Sequence, residues 1–339
     1  MAGLPPPKHP HEVAPMTLSI IRRLSPAALA LALTMAATDA ASAQIGGLGR
    51  TLGRAASRLN ADAVLRGDPP ITTSLPDARW AVDSLDNFTP RDAKRSMLQL
   101  QRTPNGGFVL QPGYYEMETQ SYCLKAGTHG PGGGDGYLYA PTAGPAEDAV
   151  KSILRNSVNH PEIEQSKVQT LLWAIIARAK FEDLSAEHKA TAARLLTPQQ
   201  LAALNRTALD MVPGPAMDAA MSRVPPLVRQ VFQAEAQIRQ MLTNPGTSFQ
   251  QLEAAAVLAG MAPIGPGSRQ VPNGRWNQHP DGYYVRYLPH GYSHTTTQIW
   301  VPQGSPAVGK EYDPATHIAV PGNTARQRLV QSGRAHRAS

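Results

Sequence analysis

Cys123 offers the clearest starting point for chemistry, because it is the only cysteine among the 339 residues of the chain. A cysteine hydrolase would pair this thiol with a histidine base, for which His129, His160 or a more distant histidine is available. Such enzymes usually place the nucleophile at a helix N-terminus, whereas Cys123 lies at the end of a predicted strand. The alternative interpretation is a buried free thiol that packs as a small apolar side chain.

The N-terminal segment has the features of an export signal. Arg22-Arg23 forms a positive region, Leu24 to Ala37 is an apolar run, and Ala41-Ser42-Ala43 is a cleavage site. We therefore expect translation to start at Met16 and the mature chain at Gln44. The apolar run is too short for a stable membrane anchor, so we predict an exported protein, periplasmic or extracellular. Exported proteins tend to pair their cysteines, so the lone one needs an explanation.

Composition argues against several other classes of function. The formal net charge of +7 is too mild and too scattered to indicate nucleic-acid binding. The glycine-rich loop from Gly127 to Gly136 lacks the Gly-Lys-Ser/Thr ending of a phosphate-binding loop. His279, His290 and His294 lie near predicted turns, but their spacing matches no standard ligand pattern. We therefore expect neither a metal nor a cofactor.

A strand is predicted before this glycine-rich loop, and two helices are predicted after it. Tyr114 to Leu124 alternates as a strand does, with Cys123 at or near its end. The pattern predicts helices over Ala146 to Val158 and from about Gln165 to Ala179, the second with a strong apolar stripe. Gln169 lies one residue off that stripe, where a polar side chain can point into a cleft beside the core.

The middle of the chain is predicted to be helical. Thr197 to Gln200 and Ser248 to Gln251 are capping boxes, and Leu227 to Leu242 repeats apolar residues in steps of four and three. We interpret the carboxylates of this helical part as lying on faces exposed to solvent.

The C-terminal part is rich in aromatic residues. Tyr283 to Leu288 and Thr295 to Val301 predict a β-hairpin. Its aromatic and basic side chains form a candidate surface for a glycan or peptide, although they could equally be packing pairs of the hairpin. These residues are Trp276, Tyr283, Tyr284, Arg286 and Trp300.

Two short motifs carry a resemblance to a known family. Tyr122-Cys123-Leu124, followed by Val168-Gln169-Thr170-Leu171-Leu172-Trp173, resembles the signatures of bacterial thioester domains. In that family an aromatic-Cys-hydrophobic motif lies on a strand, and a hydrophobic-Gln motif begins a helix, often with Trp. The resemblance covers residues 105–182.

The resemblance implies a specific reaction between Cys123 and Gln169. The thiol would attack the glutamine side-chain carbonyl, ammonia would leave, and the resulting internal thioester could later acylate an amine of a partner. Tyr122 and Trp173 would shield the bond, and His129 or His160 would assist proton transfer.

The sequence thus predicts an α+β protein with a small β portion and packed helices, a helical extension and a C-terminal aromatic β-hairpin. We expect an exported cell-envelope or secreted protein that captures an amine-bearing partner, namely an envelope or host surface protein or glycan. The alternatives are a non-catalytic envelope module for binding or structure, with Cys123 as a buried free thiol, and a cysteine hydrolase. The predicted segments are a signal peptide (1–43), a leader and irregular connector (44–104), a thioester-domain-like module (105–182), a helical extension (183–262), a β-rich segment (263–324) and a basic disordered tail (325–339).

Overall fold

The computed structural model describes residues 68–336, apart from residue 133 and residues 209–224. The described residues belong to one compact unit, and their helices and sheets make the fold α+β, as predicted. The predicted signal peptide and most of the predicted leader lie outside the described residues.

A mixed β-sheet of eight strands forms the centre of the described structure. Along the sheet the strand order is β5-β11-β12-β3-β9-β8-β7, and β1 pairs in parallel with the start of β3. The remaining strands form the small pairs β10–β2 and β4–β6. The strands are β1 (Lys94–Ser96), β2 (Phe108–Val109), β3 (Gly113–Cys123), β4 (Thr128–His129), β5 (Tyr137–Pro141), β6 (Val257–Leu258), β7 (Asn277–Gln278), β8 (Tyr284–Pro289), β9 (His294–Val301), β10 (Glu311–Tyr312), β11 (His317–Pro321) and β12 (Leu329–Ala335).

Six α-helices lie within the described residues, and the second of them, α2 (Gln165–Ile176), is the most deeply buried. All nine residues from Val168 to Ile176 are buried, so α2 lies in the core on every side and not only along the predicted stripe. The predicted capping boxes at Thr197 and Ser248 are confirmed at the starts of α4 and α6. The helices are α1 (Glu147–Asn159), α2 (Gln165–Ile176), α3 (Ala186–Leu195), α4 (Pro198–Thr207), α5 (Pro226–Leu242) and α6 (Phe249–Ala256).

The sheet is buried on both faces, because each face supports its own apolar cluster. Along β5, Leu138 and Ala140 face the cluster that contains the helices, while Tyr137 and Tyr139 face a second cluster rich in tyrosine. This alternation is the period of two that a strand imposes. The helical cluster contains Cys123, and the tyrosine cluster contains the side chains of the C-terminal hairpin.

The predicted connector is more structured than its composition indicated. Besides β1 it contains single 3₁₀ turns at Leu75–Asp77, Asp83–Leu85 and Met97–Gln99. Ile71, Leu75 and Met97 are fully buried, so this segment contributes side chains to both clusters.

The prediction of a disordered C-terminal tail is wrong for the described part of that tail. β12 lies between β11 and β3, and Leu329 and Val330 are fully buried. The arginines that suggested disorder are held by the fold: Arg326 pairs with Asp135 at 2.8 Å, and Arg334 donates to the Ile163 carbonyl at 2.9 Å.

The predicted boundaries of the module at 105 and 182 also need correction. β3 lies inside those bounds, but its two main neighbours, β9 and β12, come from the C-terminal part of the chain. Strand pairing therefore joins the predicted module to the predicted β-rich segment and tail in one sheet.

Candidate functional site

Cys123 is the last residue of β3, at a point where the strand has a partner on one side only. On one side Cys123 pairs with Leu329 of β12. On the other side β9 begins at His294, which pairs with Gln120, so the β9 ladder stops short of Cys123. The backbone N–H and C=O of a buried residue need partners, and here another element must supply them.

Gln169 supplies those partners with its side chain. The backbone N–H of Cys123 donates to Gln169 Oε1 at 2.8 Å, and Gln169 Nε2 donates to the carbonyl of Cys123 at 3.1 Å. Both residues are essentially inaccessible to solvent. The structure therefore brings the two predicted partners into direct contact, with the amide of one side chain held against the backbone of the other residue.

Gln165 makes a similar set of bonds one turn earlier on α2. Its Nε2 donates to the carbonyl of Ser121 at 3.1 Å and to that of Ser293 at 2.6 Å. Residues four apart project from the same face of a helix, so α2 presents Gln165 and Gln169 side by side to the end of β3. Sequence analysis overlooked Gln165, although its spacing from Gln169 was a usable signal.

The thiol of Cys123 is buried and mostly protonated. Its hydrogen-bond partners are backbone groups of Lys125: the carbonyl oxygen at 3.3 Å from Sγ and the amide nitrogen at 3.4 Å. Burial raises the pKa of the thiol to about 11, against smaller opposing effects of Lys125 and Trp173. At neutral pH roughly one thiol in ten thousand is then ionised, so the thiol reacts slowly with external reagents.

Trp173 lies one turn beyond Gln169 on α2 and is fully buried. Its indole N–H lies close enough to the thiol to lower the thiol pKa, in opposition to burial. The same N–H makes no hydrogen bond of ordinary geometry within the part of the chain that the structure describes. Trp173 is thus a buried neighbour of the Cys123 thiol, one turn of the helix beyond Gln169.

Tyr122 belongs to the core that supports the pair. It is fully buried in the same apolar cluster as Cys123, and its hydroxyl donates to Gln120 Oε1 at 2.9 Å. Burial raises the pKa of its phenol to about 12.

Neither candidate histidine is hydrogen-bonded to the thiol through its ring. His129 lies in β4, where its backbone bonds to Ala325 and Gln327, and its buried Nδ1 has no hydrogen-bond partner among the described residues. His160 lies just after α1, with its Nδ1 3.2 Å from Glu162 and 3.0 Å from Arg194. Neither ring is a hydrogen-bond partner of Cys123 Sγ, so the structure does not form the dyad of a cysteine hydrolase with these residues.

The predicted ligand surface of the hairpin is largely packing. Trp276 and Tyr283 are fully buried, so neither can be part of an exposed surface. Arg286 lies over the Trp276 ring at 4.3 Å, and the half-buried rings of Tyr284 and Trp300 stack at 4.9 Å. Trp276 is buried because part of the predicted connector covers it. Its indole N–H donates to the carbonyl of Phe88, a residue of that connector, at 3.0 Å. The alternative of packing pairs therefore fits Trp276 and Tyr283, whereas Tyr284, Arg286 and Trp300 remain half-buried.

A second buried polar group was not foreseen from the sequence. Tyr283 and His317 share a hydrogen bond of 2.6 Å, and the rings of His279 and His317 stack with centroids 5.1 Å apart. Burial lowers the pKa of His279 to about 4 and that of His317 to about 3. His317 Nδ1 lies 2.9 Å from the Asp313 carbonyl. These residues come from β11 and from the approach to β8, and we refer to His279, Tyr283 and His317 as the histidine cluster.

Among the described residues, no group of three His, Cys, Asp or Glu side chains is arranged to bind a metal ion. The described helices also include none with the length and apolar character needed to cross a membrane. Comparison of the chain with protein-family models, with curated proteins and with solved structures gave no match.

Proposed function

We propose that this protein is exported, forms an internal thioester between Cys123 and Gln169, and uses it to capture partners that bear an amine. The observation that carries the proposal is the reciprocal pair of hydrogen bonds at 2.8 and 3.1 Å between the Gln169 amide and the Cys123 backbone. These bonds hold the electrophilic carbon of one side chain beside the residue that carries the nucleophile.

The same hydrogen bonds suit the chemical step. Attack of Cys123 Sγ on the Gln169 amide carbon forms an S–C bond and places negative charge on Oε1, which the Cys123 N–H already contacts. The C–N bond then breaks, and the nitrogen leaves as ammonia with the proton of the thiol. Attack by a partner's amine on the thioester gives an amide on Gln169 and restores the thiol, so atoms and charges balance in both steps.

Burial affects the two steps of this proposal in opposite ways. A raised thiol pKa makes formation of the bond slow, and intramolecular placement compensates, because the two groups meet without any cost of association. Exclusion of water then protects the product from hydrolysis.

The proposed partner is an envelope or host surface protein, or a glycan, that presents a primary amine. The proposed place of action is the periplasm or the cell exterior, on the basis of the export signal in residues 16–43.

A non-catalytic envelope module is the second candidate, and one observation favours it. The Gln169 amide completes the hydrogen bonding of a strand end that β9 does not reach, which is a sufficient structural reason for its position. In that case Cys123 would be a buried free thiol.

Incorporation of methylamine separates the two candidates. We expect the wild-type protein to take up one methylamine at Gln169, located by peptide mass spectrometry, and we expect Cys123→Ala and Gln169→Ala to take up none. Gln165→Ala is the matched control, since it loses comparable bonds at the same strand end but retains both reacting groups. Uptake by folded Gln169→Ala, or its absence from the wild-type protein, would contradict the thioester.

A further inference from the structure

The connection between β8 and β9 is fastened to the strand end that carries Cys123. The Ser121 N–H donates to the Ser293 carbonyl at 3.0 Å, and Ser121 Oγ donates to the Tyr292 carbonyl at 2.9 Å. Gln165 adds its bond to the Ser293 carbonyl at 2.6 Å. The backbone of residues 292 and 293 is therefore held next to the Cys123–Gln169 pair.

The side chain of Tyr292 extends from this strand end to α6. Its ring centroid lies 6.2 Å from that of Trp173, and its hydroxyl donates to Glu253 on α6. Phe249, the first residue of α6, stacks on Trp173 with centroids 5.5 Å apart and planes 20° apart. Trp173 is fully buried, whereas Tyr292 and Phe249 are half-buried, so these two rings form the outer layer above the indole.

The Cys123 thiol interacts electrostatically with Tyr292, one of the two rings of this outer layer. Burial, the Glu253 carboxylate and the charge of an ionised Cys123 all raise the pKa of Tyr292, which places the phenol within electrostatic range of the sulfur. The indole of Trp173 acts on the thiol from the inner side of the layer. Tyr292 and Phe249 thus cover Trp173, and Trp173 in turn adjoins Cys123.

We propose that Tyr292 and Phe249 form a gate over Trp173 and the Cys123–Gln169 pair, held shut by the hydrogen bond between Tyr292 and Glu253. A partner's amine reaches the pair only when this gate opens. The proposal rests on the proposed function and assigns its regulation to three residues outside the two predicted motifs.

Opening the gate leaves the strand end in place. Rotation of the Tyr292 side chain breaks its hydrogen bond to Glu253 and its ring contact with Trp173, but not the bonds of Ser121 to the backbone of residues 292 and 293. Gly291 precedes it with a φ of 113°, and nothing lies within 4 Å of the space that a Cβ would occupy there. A glycine in this conformation gives the connection additional backbone freedom.

The experiment is the rate at which a small alkylating reagent modifies Cys123 in folded protein. The protein is first saturated with methylamine, so that Cys123 is a free thiol whether or not a thioester was present. Since the chain has one cysteine, the signal has a single source. Circular dichroism establishes that each variant is folded before its rate is compared.

We expect Tyr292→Phe and Glu253→Ala each to raise the rate by about two- to tenfold, the change in open population that loss of one hydrogen bond produces. The double variant should be no faster than the faster single variant, because both remove the same bond. Glu253→Gln keeps an acceptor and should stay near the wild-type rate, while Tyr292→Ala should be faster than Tyr292→Phe.

Phe88→Ala is the matched control, since it removes a half-buried ring that packs on Trp300, at 4.9 Å, elsewhere on the sheet. The gate is refuted if Tyr292→Phe and Tyr292→Ala react no faster than this control, or if the effects of Tyr292→Phe and Glu253→Ala simply multiply. The two proposals fail separately. If the gate variants are alkylated faster but the untreated protein has not lost ammonia, the gate is supported and the thioester is refuted. If the untreated protein has lost ammonia but the gate variants are alkylated at the wild-type rate, only the gate is refuted.

Discussion

Two regions of this protein bury polar groups completely, and they do so in different ways. At the junction of β3 and α2, the amide of Gln169 and the backbone of Cys123 satisfy each other through two hydrogen bonds, under rings that are half exposed. In the tyrosine-rich cluster, His317 is paired with Tyr283, but the hydroxyls of Tyr287 and Tyr312 have no hydrogen-bond partner among the described residues. The difference is that the junction sets a side-chain amide against the residue that carries the thiol, which is the arrangement the proposed thioester requires.

The strand β12 supports both regions, so its removal should break them together. We predict that truncation after Thr324 prevents folding, because β12 pairs with β3 beside Cys123 and with β11 beside the histidine cluster. Loss of the buried Leu329 and Val330 alone would cost about 4–6 kcal/mol by transfer and cavity effects, a large part of the stability of a typical domain.

Truncation after His336 is the control for this experiment. Far-ultraviolet circular dichroism and a thermal melt compare the two proteins. A cooperative transition in the protein that ends at Thr324 would contradict the central place of β12.

Acid should affect the histidine cluster before it affects the junction. His279 and His317 have folded-state pKa values of about 4 and about 3, below the unfolded value of about 6.5, so the unfolded chain binds more protons between these values. Stability contributed by the neutral rings is present above pH 6.5 and is lost as the pH falls below it. From pH 7 to pH 5 the free energy of unfolding should decrease by about 4 kcal/mol, roughly 2 from each ring.

Urea unfolding at a series of pH values measures this slope. The variant His279→Phe retains a ring to stack on Tyr283, from which His279 is 4.4 Å away, and should lose about half of the slope. An unchanged slope in this variant would show that the buried rings do not control the acid response.

The smallest effect is expected from the unpaired hydroxyls. Tyr287→Phe removes a buried hydroxyl that has no partner among the described residues, so the free energy of unfolding should stay within about 1 kcal/mol of wild type or rise. Tyr283→Phe, which removes a bond of 2.6 Å to His317, should be the more destabilising of this pair in the same urea titration. The reverse order would contradict the assignment of a hydrogen-bond partner to the Tyr283 hydroxyl and of none to the Tyr287 hydroxyl.

Local patterns predicted several elements well. The capping boxes at Thr197 and Ser248 and the hairpin of β8 and β9 are confirmed, because each depends on residues close together in the chain. Sequence motifs also selected Cys123 and Gln169, which the structure brings into contact across 46 residues.

The features that sequence analysis missed depend on distant partners. The basic residues around β12 indicated disorder, since nothing near them showed that β3 and β11 would enclose Leu329. For Trp276 the sequence left a ligand surface and hairpin packing both open, because the segment around Phe88 that covers it has an irregular pattern. Tyr292 lies between the two predicted strands of the hairpin, and only the fold brings it to Glu253.

The intact mass of the purified mature protein shows whether the proposed thioester is present. We expect a mass one ammonia below the sequence value, and after methylamine treatment a mass that carries one methylamine on Gln169 together with a free Cys123. The plain sequence mass, unchanged by methylamine, would contradict the thioester and leave Gln169 as the structural partner of the end of β3.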